Sequence, residues 1–179
     1  DDSEPPFSGE VFTHMQSIRL IQFSDTHLFG DAGGRLRGVA SLPALQAAVS
    51  AAHRRGHQAD AVLLTGDLVQ DDPEGYRWIR RVFGASRAPV LCTPGNHDLP
   101  DHMRAALAEP PFTIGGAVEL GRWLVVMLDS WAPNQAGGRL GAEQIAQLSE
   151  TLRACRDRHA LVCLHHHPIP MRSGWLDQV

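Results

Sequence analysis

The sequence predicts an α/β domain with a ligand site along one edge of its sheet. Short β-rich apolar runs alternate with stretches of helical periodicity, so strands and helices follow one another along the chain. Four of those runs end in Asp, Asn or His, and open α/β sheets bind ligands at the C-terminal ends of their strands. At 179 residues and 43% apolar content, the chain has the size and composition of one domain with its own core.

Residues 1–14 are acidic, Pro-rich and aperiodic, and read as a flexible extension. The His14-Met15 pair is of the kind a cloning junction leaves, so the expected domain is 15–179. Residues 18–23 form a strand running into Ser24-Asp25-Thr26-His27. Residues two apart on a strand project to one side, so Asp25 and His27 are expected to point at one object. The Gly-rich stretch 30–38 is too irregular for either element. Ser41 reads as an N-cap with Pro43 in the first turn; Leu42, Leu45 and Val49 recur at helical spacing, and Gly56 ends the helix.

Residues 61–65 are a short buried strand ending in Gly66-Asp67. Asp71-Asp72-Pro73 caps a helix whose apolar face is Tyr76, Ile79 and Phe83. The run 88–92 leads to Pro94-Gly95-Asn96-His97-Asp98, a tight turn in which Gly95 permits positive φ and a close approach to a ligand. A helix start containing Pro100 follows. Residues 118–120 and 123–128, parted by Gly121-Arg122, read as a β-hairpin. A helix over 142–155 carries Ile145, Leu148 and Leu152, and 160–164 is a strand ending in His165-His166-His167-Pro168.

Composition narrows the function classes. The net charge is -4, and the basic residues, all Arg, are spread without a basic block, which argues against duplex nucleic acid or an anionic membrane as partner. No apolar run approaches the ~18 residues of a membrane span. Cys92, Cys155 and Cys163 make no paired framework and suit a reducing, cytoplasmic compartment. The ten histidines stand out, since imidazole is the commonest metal ligand among side chains.

Taken singly, each candidate has an ordinary role. Asp25 and Asp67 serve as loop and turn caps, Asn and Asp beside Gly are common turn formers, and His165–His167 read equally as an exposed strand end. Their joint occurrence at successive strand tips is what those roles do not explain. Carboxylate, imidazole and amide donors gathered at one edge suit Mn, Fe or Zn.

Asp25-x-His27, Gly66-Asp67, Gly95-Asn96-His97-Asp98 and His165, in that order, resemble the motifs of the calcineurin-like metallophosphoesterases. Leu64-Thr65-Gly66-Asp67-Leu68-Val69-Gln70-Asp71, Leu164-His165-His166-His167-Pro168 and Gly174-Trp175-Leu176-Asp177 are most similar to the bacterial class III cyclic-nucleotide phosphodiesterases. The protein Ser/Thr phosphatases fit poorly, since they place Asp-Arg-Gly where this chain has Gln70-Asp71-Asp72. The resemblance implies a four-layer αββα sandwich and two divalent metal ions. Asp25 and His27 would bind the first, Asn96 and His165 the second, and Asp67 both. A hydroxide held between the metals would attack phosphorus of a small phosphoester, a cyclic nucleotide or another diester or triester. His97 would act as the acid near the leaving oxygen. His166 stands in reserve for His165, because adjacent strand residues face opposite sides.

The family's Gly-His-x-His motif, which supplies two further histidine ligands, is absent from the chain. A domain truncated at its C-terminus is therefore expected, with an exposed apolar face and an unpaired sheet edge. A homodimer covering that face is the expected remedy, with His159, His166 or His167 as spare donors across it. Water could fill the open positions instead. The alternative to a hydrolase is an inactive or metal-binding remnant of the fold without turnover.

Overall fold

The computed structural model describes residues 17–54, 58–174 and 176–178; the expectations for residues 1–14, Met15, Gly56 and Trp175 lie outside them. The elements are β1 (Leu20–Phe23), β2 (Arg35–Leu36), β3 (Val39–Ala40), α1 (Ser41–Arg54), β4 (Ala61–Thr65), α2 (Tyr76–Phe83), β5 (Val90–Thr93) and α3 (Pro100–Ala106). They continue with β6 (Phe112–Ile114), β7 (Gly116–Leu120), β8 (Trp123–Met127), α4 (Ala142–Ala154) and β9 (His159–Cys163). Short 3-10 turns cover Pro73–Gly75 and Leu176–Gln178.

Two main sheets result. In the first, β1-β4-β5-β6, every pairing is parallel, with Phe23 opposite Leu64 and Thr65 opposite Thr93. The second, β7-β8-β9, joins an antiparallel hairpin to a parallel strand, with Met127 opposite Cys163. Because strand side chains alternate between faces, the central strands feed different cores. Val62 and Leu64 of β4 pack with Val90 and Cys92 of β5 against Leu45, Ile79 and Met103 of the first three helices. Ala61, Leu63 and Leu91 point the other way, onto Val125 and Met127 of β8. On its far face β8 presents Leu124 and Val126 to Leu148 and Leu152 of α4. Three cores separate four layers, helix–sheet–sheet–helix, as expected.

The helices form where the sequence provides for them. Asp72 accepts from the Glu74 N–H at 3.0 Å and Pro73 opens the 3-10 turn, so the turn leading into α2 is capped. Tyr76, Ile79 and Phe83 are then buried, each full burial being worth roughly 1.5–3 kcal/mol.

Three details differ from expectation. The stretch 30–38 contains the start of the β2–β3 hairpin, turning through Arg37 and Gly38 at φ 47° and 85°. β6 is a three-residue strand without a recognisable sequence pattern. Ile145 is not on the packed face of α4, being 52% exposed, while Leu148 and Leu152 make the contact. No helix among the described residues is long and apolar enough to cross a membrane.

Candidate metal centre

The loops after β1 and β4 are laced together. Asp25 N–H donates to the Gly66 carbonyl (3.0 Å), His27 to Asp67 (2.9 Å), Leu28 to Leu68 (2.9 Å), and Gln70 returns to Leu28 (3.0 Å). β1 ends at Phe23, so strand alternation does not aim Asp25 and His27. Instead both take left-handed backbone conformations, φ 57° and 41°, as does Asp67 at 51°. The two side chains converge because the chain kinks beyond the strand.

The loop after β5 is bolted to the same pair. Asp98, 1% exposed, accepts from Gly95 N–H at 2.9 Å, Leu68 N–H at 3.1 Å, Val69 N–H at 3.3 Å and the Tyr76 hydroxyl at 2.9 Å. Burial raises its pKa above the usual carboxylate range, against the pull of the Gly95 and Leu68 N–H groups and the Tyr76 hydroxyl. His97 N–H donates to Asp67 Oδ1 at 2.9 Å. Close approach demands glycine at two places. A Cβ on Gly95 would sit 2.5 Å from the Asp67 nitrogen, and one on Gly66, at φ 97°, would meet His165 Nδ1 at 2.5 Å.

At the meeting point Asp25, Asp67 and His165 each bring a ligand atom within 4.8 Å of the others, a grouping able to hold a metal ion. His165 Nδ1 lies 2.9 Å from the Thr65 carbonyl, which can only accept, so Nε2 keeps its lone pair for the centre. That Nε2 is 3.6 Å from Asp67 Oδ1. His27 Nε2 is 3.7 Å from Asp67 Oδ2 and 3.7 Å from Asp25 Oδ1. These separations are too long for hydrogen bonds. The carboxylates and imidazoles thus surround a polar space without satisfying one another, and their donor set suits Mn, Fe or Zn.

The electrostatics agree. Burial alone would lower the His27 pKa, but the Asp25 and Asp67 carboxylates outweigh it and raise it above the usual imidazole range. Asp25 is lowered by its interaction with His27 against the effect of burial, with help from the Ser24 hydroxyl at 2.5 Å. A cation among these groups would take over that balancing role.

The profile of the calcineurin-like phosphoesterases matches residues 18–178. The chain belongs to this family. It is 34% identical over 175 residues to the 3',5'-cyclic adenosine monophosphate phosphodiesterase CpdA of Escherichia coli K12, covering 97% of this chain and 62% of that protein. The Haemophilus influenzae protein of the same name is 37% identical over 163 residues, covering 90% of this chain and 60% of its own length. The chain thus spans about three fifths of the length of these curated relatives. Among solved structures, that of TT1561 of Thermus thermophilus superposes with a TM-score of 0.61 at 20% identity, covering 90% of this chain and 73% of the other, a likeness of fold.

In this member of the family the expected residues follow four strand ends. Asp25 and His27 follow β1, Asp67 follows β4, Asn96 and His97 follow β5, and His165 follows β9. Asn96 is half-buried in the turn between Gly95 and His97. The His27 and His97 rings meet edge to face, centroids 5.4 Å apart. His97 Nδ1 lies 2.9 Å from Asp71 Oδ2, an oxygen that also accepts from the Gln70 amide at 2.9 Å. Sequence reasoning assigns Asp71 and Asp72 together to the helix cap. Asp72 alone caps, at the 3-10 turn before α2, and Asp71, at φ 52°, turns back to hold His97. The signal is the redundancy of two adjacent aspartates before Pro73, only one of which a cap requires.

The spare histidines are engaged elsewhere. His166 stands at 88° to His165; its Nδ1 lies 2.8 Å from Ser130 Oγ and its Nε2 donates to the Ala136 carbonyl at 3.1 Å. Burial lowers its pKa, which favours the neutral ring. With both nitrogens bonded away from the centre, it is not a substitute for His165. His167 pairs with Asp177 at 3.6 Å, and the His159 ring packs against Trp123 at 5.1 Å.

Proposed function

We propose that the chain is a metal-dependent phosphodiesterase acting on small diesters, cyclic nucleotides among them, through two divalent cations. The observation that carries this reading is the position of Asp67. One of its carboxylate oxygens is turned to His27 and the other to His165, so a single anion stands between two ligand groups. Asp25 and His27 would hold the first ion, Asn96 and His165 the second, and Asp67 both. Two Mn, Fe or Zn ions there would supply a nucleophile from water at neutral pH and neutralise charge on the phosphoryl oxygens. Asp67 would also screen the repulsion between them.

His97 is read as the acid. With Nδ1 held 2.9 Å from both Asp71 Oδ2 and the Gln70 amide nitrogen, its Nε2 is the nitrogen left to pass a proton to the leaving oxygen, a contribution of ~10²–10⁴-fold in general acid catalysis. Cyclic-nucleotide preference rests on the names of the relatives, which are longer than this chain. A reducing, cytoplasmic setting is supported by the three cysteines, all free thiols. Pairing of two copies belongs to the same proposal. Its support is β9 at the edge of its sheet and the exposed Ile169 and Met171 beyond it, and light scattering at micromolar concentration reads it directly.

The deciding experiment combines metal analysis with hydrolysis of bis(p-nitrophenyl) phosphate and cyclic AMP, with and without added Mn²⁺. Two equivalents of metal and metal-dependent turnover are expected. Metal bound without turnover would leave a metal-binding remnant of the fold.

A further inference from the structure

Beside Asp25 and His27 opens a cleft of about 390 Å³ that the metal chemistry does not use. Phe23, Leu36, Arg37 and Val39 line it, together with Ala44 and Ala48 of α1. The volume lies in the ~300–1,000 Å³ range of small-molecule sites. Val39, a β-branched apolar residue, is 59% exposed here. Ala44 and Ala48, one helical turn apart, are also exposed.

The hairpin that forms one wall is firmly held. Gly30 N–H donates to Asp72 at 2.7 Å, the Gly30 carbonyl accepts from Arg77 and Trp78 at 2.5 and 3.2 Å, and Ser41 N–H donates to Gly34 at 3.1 Å. Its turn, however, carries the wrong residue for its shape. Positive φ at both central positions favours Asn-Gly or Gly-Gly, yet Arg37 occupies the first at φ 47°. A long side chain kept in a left-handed conformation in the lining of a cleft is a local cost that points to a task for that side chain.

We propose that this cleft seats the nucleobase of a nucleotide ester whose phosphate lies at the metal centre, with the Arg37 guanidinium stacked on the ring. The inference rests on the phosphodiesterase reading for the position of the phosphate. The chemistry matches at both ends: the acidic, metal-holding end takes the anion, and an apolar slot continuous with it takes a flat ring. A guanidinium is the cation best suited to lie on an aromatic face. Phe23, already tilted against Phe83 at 5.3 Å, offers the slot a rigid aromatic wall.

The test is calorimetry on the Mn²⁺-loaded full chain, with adenosine 5'-monophosphate and inorganic phosphate as the two probes. Wild-type protein should bind the nucleotide more tightly than phosphate. Ala44→Leu, which fills the cleft, and Arg37→Gly, which suits the turn better, should each weaken the nucleotide by about tenfold or more and leave phosphate unchanged. The Arg37→Gly protein should show no fall in Tm, because glycine relieves the left-handed strain. Equal affinity for both probes in the wild type, or unchanged nucleotide binding in both variants, would overturn the proposal. A parallel loss of phosphate binding or a lowered Tm would make these residues structural and would also overturn it. If no diester is hydrolysed while the two probes are still distinguished, the phosphodiesterase reading fails and the cleft stands.

Discussion

Asp67 concentrates the chemistry of this molecule in two oxygen atoms. One lies 3.7 Å from His27 and the other 3.6 Å from His165, so removing them should disturb both halves of the centre. Asp67→Ala is expected to abolish diester hydrolysis and to release more than one equivalent of metal per chain, as read by plasma emission analysis. A variant that kept its metal and its rate would end the dinuclear reading. His97→Ala should behave differently, lowering turnover by ~10²–10⁴-fold with metal content nearly intact. The loss should grow as the leaving group becomes poorer, and Asp71→Asn should reproduce part of it by releasing the imidazole. Equal losses across a leaving-group series would remove His97 from the acid role. The proposed ligands Asp25, His27, Asp67, Asn96 and His165 stand out in the sequence because ligand-type residues at successive strand ends are an unusual coincidence. Asp71, Asp98 and Tyr76 do not. Their partners lie 22 to 30 residues away, and an aspartate in a turn looks the same whether it caps a helix or fastens two loops.

At the scale of elements, the loops rather than the strands set the geometry. Asp98 accepts from three backbone N–H groups and one hydroxyl, and an asparagine there would turn an amide donor toward donors. Hydrogen bonds to a charged group are worth ~1.5–3 kcal/mol, so Asp98→Asn should lower the urea midpoint by an equivalent amount without changing the slope. Gly95→Ala would crowd the Asp67 backbone and should cost about 1–3 kcal/mol, together with most of the turnover. The sequence showed β4 to its boundaries and the Tyr76–Ile79–Phe83 face of α2, because unbroken apolar runs and strong periodicity leave little choice. It hid β2 and β3, whose turn lacks the usual residues, and β6, too short to show any period. For Asp25 and His27 the expected convergence appears, but it arises from backbone kinks instead of strand alternation.

At the largest scale, four layers enclose three cores among the described residues, and the centre lies where both sheets contribute a strand end. Metal bound there would tie the sheets together through Asp67 and His165. Chelation by EDTA should therefore lower Tm as well as stop turnover. At a free metal level of 100 Kd the linkage is worth ~2.7 kcal/mol, or roughly 5–10 °C for a chain of this length. An unchanged Tm on chelation would show that the cluster binds no metal in the folded protein.

The division of β4 between two cores has a consequence for quality control. Val62 and Leu64 serve one core, Ala61 and Leu63 the other. A slip of one residue against β1 or β5 would exchange the two sets, pressing the small Ala61 and Leu63 into the helical interface. The same slip would carry Asp67 one step along the sheet edge, away from the histidines. Errors of pairing and loss of the centre are one event, so metal retained per chain would report the fraction of protein in native register.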